Sequence, residues 1–322
     1  MSNHENTDSF YKPLAVESLL AGHFPPVALY LNHGAGNFIL YKPHNGELTE
    51  KDMVRLSNND NTSVYIRTGD VEIVAAYLEQ QADTLFRRED ISSGTKERIL
   101  ALVSFNYLCE VFRKPELIAD VTRCKALLGA LLLHAAGRES LMKAVLLVIG
   151  GQYQLIGHSI DVAVLTMRAH RMILDVHGDE VLNAGVGALF HDAGIIRLSS
   201  NSLEGAYPFT GIDYSRVKLH PQAGYDLLRP MWGDAGAIAL DMVRYHHEKC
   251  DGSGYPHRLP GGSIPRSAQI LSICDVYSSL TTDRTFRKAT TPERTLDIMA
   301  SEAGIFNREF LDAFRSMILD TR

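Results

Sequence analysis

Two short clusters of histidine and carboxylate carry the residue types that bind metals. His191-Asp192 lies within 186–196, a run whose apolar pattern predicts a helix. A charged Asp is rarely buried without a partner. A metal ion is one such partner, because neutral imidazole and carboxylate are both ligands. A buried His–Asp hydrogen bond, or a helix end stopped at Gly194, explains the dipeptide alone at least as well. His246-His247 closes the helical run 235–245 and is followed at once by Glu248, Lys249, Cys250, Asp251, Gly252, Ser253, Gly254, Tyr255 and Pro256. Adjacent histidines on a helix point about 100° apart, so they can serve two metals, or one metal and a substrate. A helix C-terminal pair favoured by the dipole is the plainer reading, but it does not account for the loop. There, two glycines permit positive φ and a proline stiffens the end. His220 precedes Pro221 at the start of a predicted helix over 222–228, a place for a ligand, an anion contact or a surface side chain. His158 sits in the helical segment 155–173. Asp275 is a lone acid in the apolar helix 268–280 and needs a partner, which a metal would supply. Arg284, Arg287 and Lys288 follow, either as phosphate contacts or as a solvated basic helix end.

The elements that must position these groups fall into two textures. Residues 1–12 form a loose, disordered polar tail. The runs 27–31, 38–41 and 63–67 predict short strands separated by turn segments, including Asn45-Gly46. Asp70 is placed as the N-cap of a helix running through Leu78 to Leu85. No metal or nucleotide motif occurs in this part. From residue 93 the pattern is helical, with helices expected over 95–112, 115–136 and 139–149 and a mainly helical remainder broken by loops at 199–214 and 250–265. The expected organisation is a small α/β regulatory or dimerisation domain over 1–92 and a helical domain over 93–322. In the latter, 93–150 supplies connecting helices and the core starts at 151.

Composition narrows the function classes. The chain has 322 residues with 32 Lys+Arg against 38 Asp+Glu, a net charge of −6. That balance argues against a general binder of nucleic-acid polymers while leaving room for a local phosphate site. The four cysteines, Cys109, Cys124, Cys250 and Cys274, make no C-x-x-C pair and suit reduced thiols in a cytosolic protein. The first ten residues have no apolar signal core, and the most apolar stretches fall short of the roughly 20 residues a membrane span needs. A cytoplasmic protein with no membrane segment is expected.

His158, His191-Asp192, His220, His246-His247, the Asp-Gly-Ser-Gly-Tyr-Pro loop and Asp275 occur in the order found in HD-GYP domains. The resemblance covers roughly residues 150–320, and the segment 246–256 is its specific part. It implies a mainly α, HD-superfamily phosphohydrolase fold beside the smaller N-terminal α/β domain. It implies a bacterial signalling hydrolase, a phosphodiesterase that cleaves cyclic di-GMP to pGpG and onward to GMP at a centre of iron or manganese. On the resemblance the metal ligands are His158, His191, Asp192, His220, His246, His247 and Asp275. His191 and Asp192 are catalytic, and Asp192 bridges the metals. Arg284, Arg287 and Lys288 resemble the family's phosphate-contacting segment, for which guanidinium groups suit. The exposed-looking loop at Gly254, Tyr255 and Pro256 resembles a contact surface for diguanylate cyclases, and a homodimer is a further expectation.

Four positions depart from the family pattern. Ile195 stands where a lysine is common, a turn after His191, and helical spacing would turn it toward the site. Gln154 stands where three-metal members have Glu, so two metals are expected. Thr285-Phe286 replaces Pro-Tyr. These departures keep two other readings open: a weakly active metal-binding scaffold that binds cyclic di-GMP or a cyclase partner, and a phosphohydrolase of another nucleotide.

Overall fold

The computed structural model describes residues 10–34, 36–58, 62–135, 137–149, 154–198, 214–283 and 287–320. The chain divides into two compact units, one comprising Met1–Cys109 with His134–Gly150, the other Glu110–Leu133 with Gly151–Arg322.

The first unit is built on a four-stranded antiparallel sheet: β1 (Tyr11–Ala15), β2 (Leu29–Asn32), β3 (Phe38–Lys42) and β4 (Ser63–Arg67), in the order β1-β4-β2-β3. Strand alternation buries Leu14, Leu29, Val64 and Ile66. The helices of this unit are α1 (Glu50–Asn58), α2 (Val71–Gln80), α3 (Ala82–Arg87), most of α4 (Ser93–Arg113) and, after α5 (Val121–His134) of the other unit, α6 (Arg138–Ile149). Strand β1 begins at Tyr11, inside the segment read from sequence as a tail. Helix α1 was not foreseen either. Asp70 does precede α2, but in a helical conformation and without a side-chain capping bond, because a 3-10 turn over Thr68–Asp70 already leads into the helix. The unit also takes in more than residues 1–92. Helix α6 packs on β1, and α4 buries Ile99, Leu100, Leu102, Val103 and Leu108.

The second unit is helical and supplies every group of the site. Its elements after α5 are α7 (Gln154–Ile173), α8 (Asp179–Leu189), α9 (Gly194–Leu198), α10 (Tyr214–Val217), α11 (His220–Trp232), α12 (Ala237–Tyr245), α13 (Arg266–Thr281), α14 (Pro292–Ser301) and α15 (Arg308–Leu319). Helix α7 is apolar nearly all round, as a central helix must be, and packs on α8, α13 and α15. Helix α12 packs on α8, α11 and α13. Glycines allow the closest approaches: a Cβ on Gly187 would sit 2.8 Å from Ala239 Cα, and one on Gly194 would collide with the His220 carbonyl oxygen.

Three predicted helices are broken. The one expected from Asp70 to Leu85 is interrupted at Gln81, between α2 and α3. Pro115–Ala119 is a 3-10 turn, and α5 starts only after Asp120, whose carboxylate accepts from Thr122 N at 2.9 Å and ends the continuity. The run 186–196 is not one helix: α8 ends at Leu189 and α9 begins at Gly194. Between them Phe190 O accepts from Ala193 N and Asp192 O from Ile195 N, so His191-Asp192 lies in a tight turn. The equal-face argument for Ile195 therefore lapses, and its side chain is buried at 4% exposure. No helix among the described residues is long and apolar enough to cross a membrane.

Candidate metal centre

Five pieces of the second unit converge. Helix α7 presents His158, the α8–α9 turn His191 and Asp192, the start of α11 His220, the end of α12 His246 and His247, and α13 Asp275. Their ligating atoms form two groups, Asp192/His220/His246/His247 and His158/His191/Asp275, each with all such atoms within 4.8 Å of one another. All seven residues singled out from sequence are therefore brought together.

Backbone geometry fixes three of the rings. Nδ1 of His191, His220 and His246 lies 2.7, 2.7 and 2.9 Å from the carbonyl oxygens of Ala188, Val217 and Val243, each three residues back. A carbonyl only accepts, so each Nδ1 carries the hydrogen, and in a neutral ring the opposite Nε2 is a bare lone pair. The Nε2 of His191 is fully buried without a hydrogen-bond partner among the described residues. It faces Asp192 Oδ2 at 3.5 Å and Asp275 Oδ1 at 3.9 Å, both acceptors. The Nε2 atoms of His220 and His246 are 3.1 Å apart, with Asp192 Oδ1 at 3.1 Å from the former. Acceptors gathered around a dry point require a cation, either a proton or a metal ion. The donor set, imidazole with carboxylate, fits a metal.

Asp192 connects the two groups. Its Oδ1 faces His220, with His246 at 4.0 Å, while its Oδ2 faces His191. Burial alone would raise its carboxyl, but the charge of His191, the bond and charge of His220 and the charge of His246 hold it well below the usual carboxylate range. Asp275 is also held low against its burial, by the bond and charge of His158, then by His191 and His247. Burial first, then neighbouring histidines, depress His246, and burial brings His247 down to about 4. Both rings are thus neutral at ordinary pH. His220 goes the other way: burial lowers it, but the bond and charge of Asp192, the Val217 carbonyl and the charge of Asp275 together more than compensate.

The loop after His247 is a wall of the centre. Gly252 has φ +77°, and Asp251 Oδ1 accepts from Ser253 N at 2.9 Å. Gly254 does not use positive φ; it is buried where a Cβ would collide with the backbone of residues 247–249. Tyr255 is half-buried, its ring 4.7 Å from that of His247, with Lys218 Nζ 5.7 Å from the Tyr255 ring. Pro256 is half-buried as well, so the loop is less exposed than the sequence suggested. The buried Glu248 organises it, accepting from His257 N at 2.6 Å and Leu259 N at 2.9 Å.

The basic segment is placed differently from expectation. Arg287 donates to the carbonyls of Leu280, Ser279 and Lys288, capping the end of α13, and Lys288 is 93% exposed beside Asp283 at 3.5 Å. Neither makes a hydrogen bond or ion pair to the centre among the described residues. Arg284, Thr285 and Phe286, and the side chain of Gln154, lie outside those residues. The sequence reading passed over Asp161, Ser278 and Glu248. Their signal was present: Asp161 and Ser278 follow His158 and Asp275 by three residues, one helical turn, in otherwise apolar stretches.

Residues 162–309 match the HD domain family model. This segment is similar to the HD domain family. The chain is 31% identical over 157 residues to cyclic di-GMP phosphodiesterase PA4108 of Pseudomonas aeruginosa, covering 49% of this chain and 37% of that protein. It is 30% identical over 141 residues to the cyclic di-GMP phosphodiesterase response regulator RpfG of Xanthomonas campestris, covering 44% and 37%. It is 29% identical over 114 residues to 3'3'-cGAMP-specific phosphodiesterase 2 of Vibrio cholerae, covering 35% and 22%. The chain thus spans little more than a third of these curated relatives at most. Bd1817, a HDG"Y"P protein from Bdellovibrio bacteriovorus, shares the fold with a TM-score of 0.63 at 18% identity, covering 96% of this chain and 99% of that one. The His/Asp cluster has the donor set of a metal-binding site.

Proposed function

We propose that the protein is a metal-dependent phosphodiesterase that hydrolyses cyclic di-GMP to pGpG and onward to GMP, with two ions of iron or manganese. The observation that carries this reading is Asp192, whose two oxygens address two separate donor groups. Histidine-rich ligation favours iron or manganese over magnesium, which prefers oxygen ligands. Bound as a pair, such ions supply Lewis-acid and charge-neutralising chemistry for phosphodiester hydrolysis.

The chain's own residues do the rest. Backbone carbonyls aim His191, His220 and His246 inward, and His158 and Asp275 complete the second group. His191 and Asp192 are the catalytic residues, Asp192 as the bridge. Tyr255 shields His247 from water. Arg287 pins the segment after α13, which leaves the exposed ammonium of Lys288, with Arg284, to meet the anionic ligand; its exposed pairing with Asp283 is weak. Relatives named for cyclic di-GMP and for 3'3'-cGAMP point to a cyclic dinucleotide as the substrate class.

The test is an assay of iron- and manganese-loaded protein on both cyclic dinucleotides, with His191→Ala beside it. Turnover of cyclic di-GMP that disappears in the variant is expected. A loaded protein that holds two ions yet cleaves neither compound would sink the proposal.

A further inference from the structure

We infer that Ser278 and Asp161 are positioning residues that set the tautomer of His158, and so decide whether the second donor group can hold an ion. The inference rests on the two-group metal reading above but concerns residues outside the ligand set. His158 differs from the other anchored histidines. Its Nδ1 meets a side chain, Ser278 Oγ, at 3.1 Å, where His191, His220 and His246 meet backbone carbonyls. A hydroxyl both donates and accepts, so Ser278 alone leaves the His158 ring undetermined.

Asp161 removes the ambiguity. Ser278 Oγ lies 2.6 Å from Asp161 Oδ2, and Asp161, Ser278 and His158 are all buried. A carboxylate can only accept, so the single hydroxyl hydrogen of Ser278 is committed to Asp161. Ser278 Oγ then accepts, and Nδ1 of His158 carries a hydrogen, which leaves Nε2, 3.0 Å from Asp275 Oδ1 within the ligand cluster, as the nitrogen a metal ion would take in place of a proton. The rival arrangement is a ring with its only hydrogen at Nε2. It would require Ser278 to donate to Nδ1 as well, with a hydrogen it has already given to Asp161. The same dry geometry that orients the ring therefore selects its ligating nitrogen. The two positioning residues sit one turn after a ligand on each of two helices: Asp161 after His158 on α7, Ser278 after Asp275 on α13.

The experiment reads the ring directly. Metal-free full chain labelled with 15N-histidine at pH 8 shows, for each imidazole, which nitrogen carries hydrogen. The wild type is expected to carry a hydrogen on Nδ1 of His158, whether or not Nε2 shares one with Asp275. Ser278→Ala should shift it toward Nε2–H, and Ser278→Thr, which keeps the hydroxyl, should restore it. Manganese titration with metal counting should then show Ser278→Ala weakening one of the two ions by about 10- to 100-fold, with Ser278→Thr near wild type. A wild-type His158 found with no hydrogen on Nδ1 overturns the inference without any variant, so misfolding of Ser278→Ala cannot shelter it. So does a folded Ser278→Ala with unchanged tautomer and unchanged affinities. His158→Ala separates the two failures: if it retains both ions, the metal reading of the second group fails; if it loses one while Ser278→Ala does not, only the relay fails.

Discussion

The two halves of the centre are anchored by different means. In the group of Asp192, His220, His246 and His247, two rings are held by backbone carbonyls three residues earlier in their own segments. In the group of His158, His191 and Asp275, the ring of His158 is held by side chains that come from another part of its helix and from a second helix. A carbonyl anchor comes with the local fold and no substitution can delete it. A side-chain anchor depends on two helices meeting in register, and one mutation removes it. The first half is thus held by local backbone, the second pairs a backbone-anchored His191 with a His158 held by tertiary packing, and Asp192 joins them.

The largest effect should come from the residue the halves share. Asp192→Ala is expected to remove both ions and lower phosphodiester turnover by more than about 100-fold, beyond what outer-shell changes alone produce; a variant that keeps two ions by metal counting breaks the comparison. Next, His220→Ala and His158→Ala should each cost one ion, from different halves. Loss of both ions in either variant would mean the halves are not separable.

A third prediction strikes an anchor indirectly. Gly194→Ala forces a methyl group against the His220 carbonyl and the backbone of Gly224. It should destabilise the fold by about 3 kcal/mol, since backbone cannot yield as a flexible side chain can, and weaken the first half more than the second. Denaturant unfolding and metal titration together check it. Unchanged stability would show that α9 and α11 can separate at no cost.

The smallest effect concerns His170, which has a carbonyl anchor, Thr166 O at 2.8 Å, but no carboxylate facing its buried Nε2. Burial lowers it to about 4 from 6.5, the backbone bond only partly opposing. The unfolded chain takes up a proton near pH 6.5 that the folded chain refuses until about pH 4. Stability should therefore fall as pH drops through that window, by roughly 2–3 kcal/mol. His170→Gln should flatten this part of the pH–stability profile. An equal slope in both proteins would show that His170 is protonated without cost, and that a carboxylate is not what sets the centre's histidines apart.

The legibility of this molecule follows the range of the interactions. The strand β4 was readable because alternating Val64 and Ile66 encode one buried face, and α7 because its apolar run has a single period. Strand β1 was not readable: a five-residue edge strand with Pro13 becomes a strand only by pairing with β4. The α8–α9 break was hidden for a like reason. Its residues are apolar enough for a continuous helix, and what stops the helix is the approach of α11 at Gly194.

By itself the sequence supplied the candidate ligands, His158, His191, Asp192, His220, His246, His247 and Asp275, through residue types suited to a metal and an order along the chain that resembles HD-GYP domains. It determined the tight loop too, since Gly252 and Gly254 admit backbone paths closed to other residues. Only the tertiary structure decided how those ligands divide into two groups, that Asp192 faces both, that Arg287 caps a helix, and that Asp161 reaches Ser278 across 117 positions of chain. Residue type is a local property that the chain spells out. Which lone pair faces which, and with what hydrogen, is fixed by donors and acceptors on different helices, and those meet only when the core has packed.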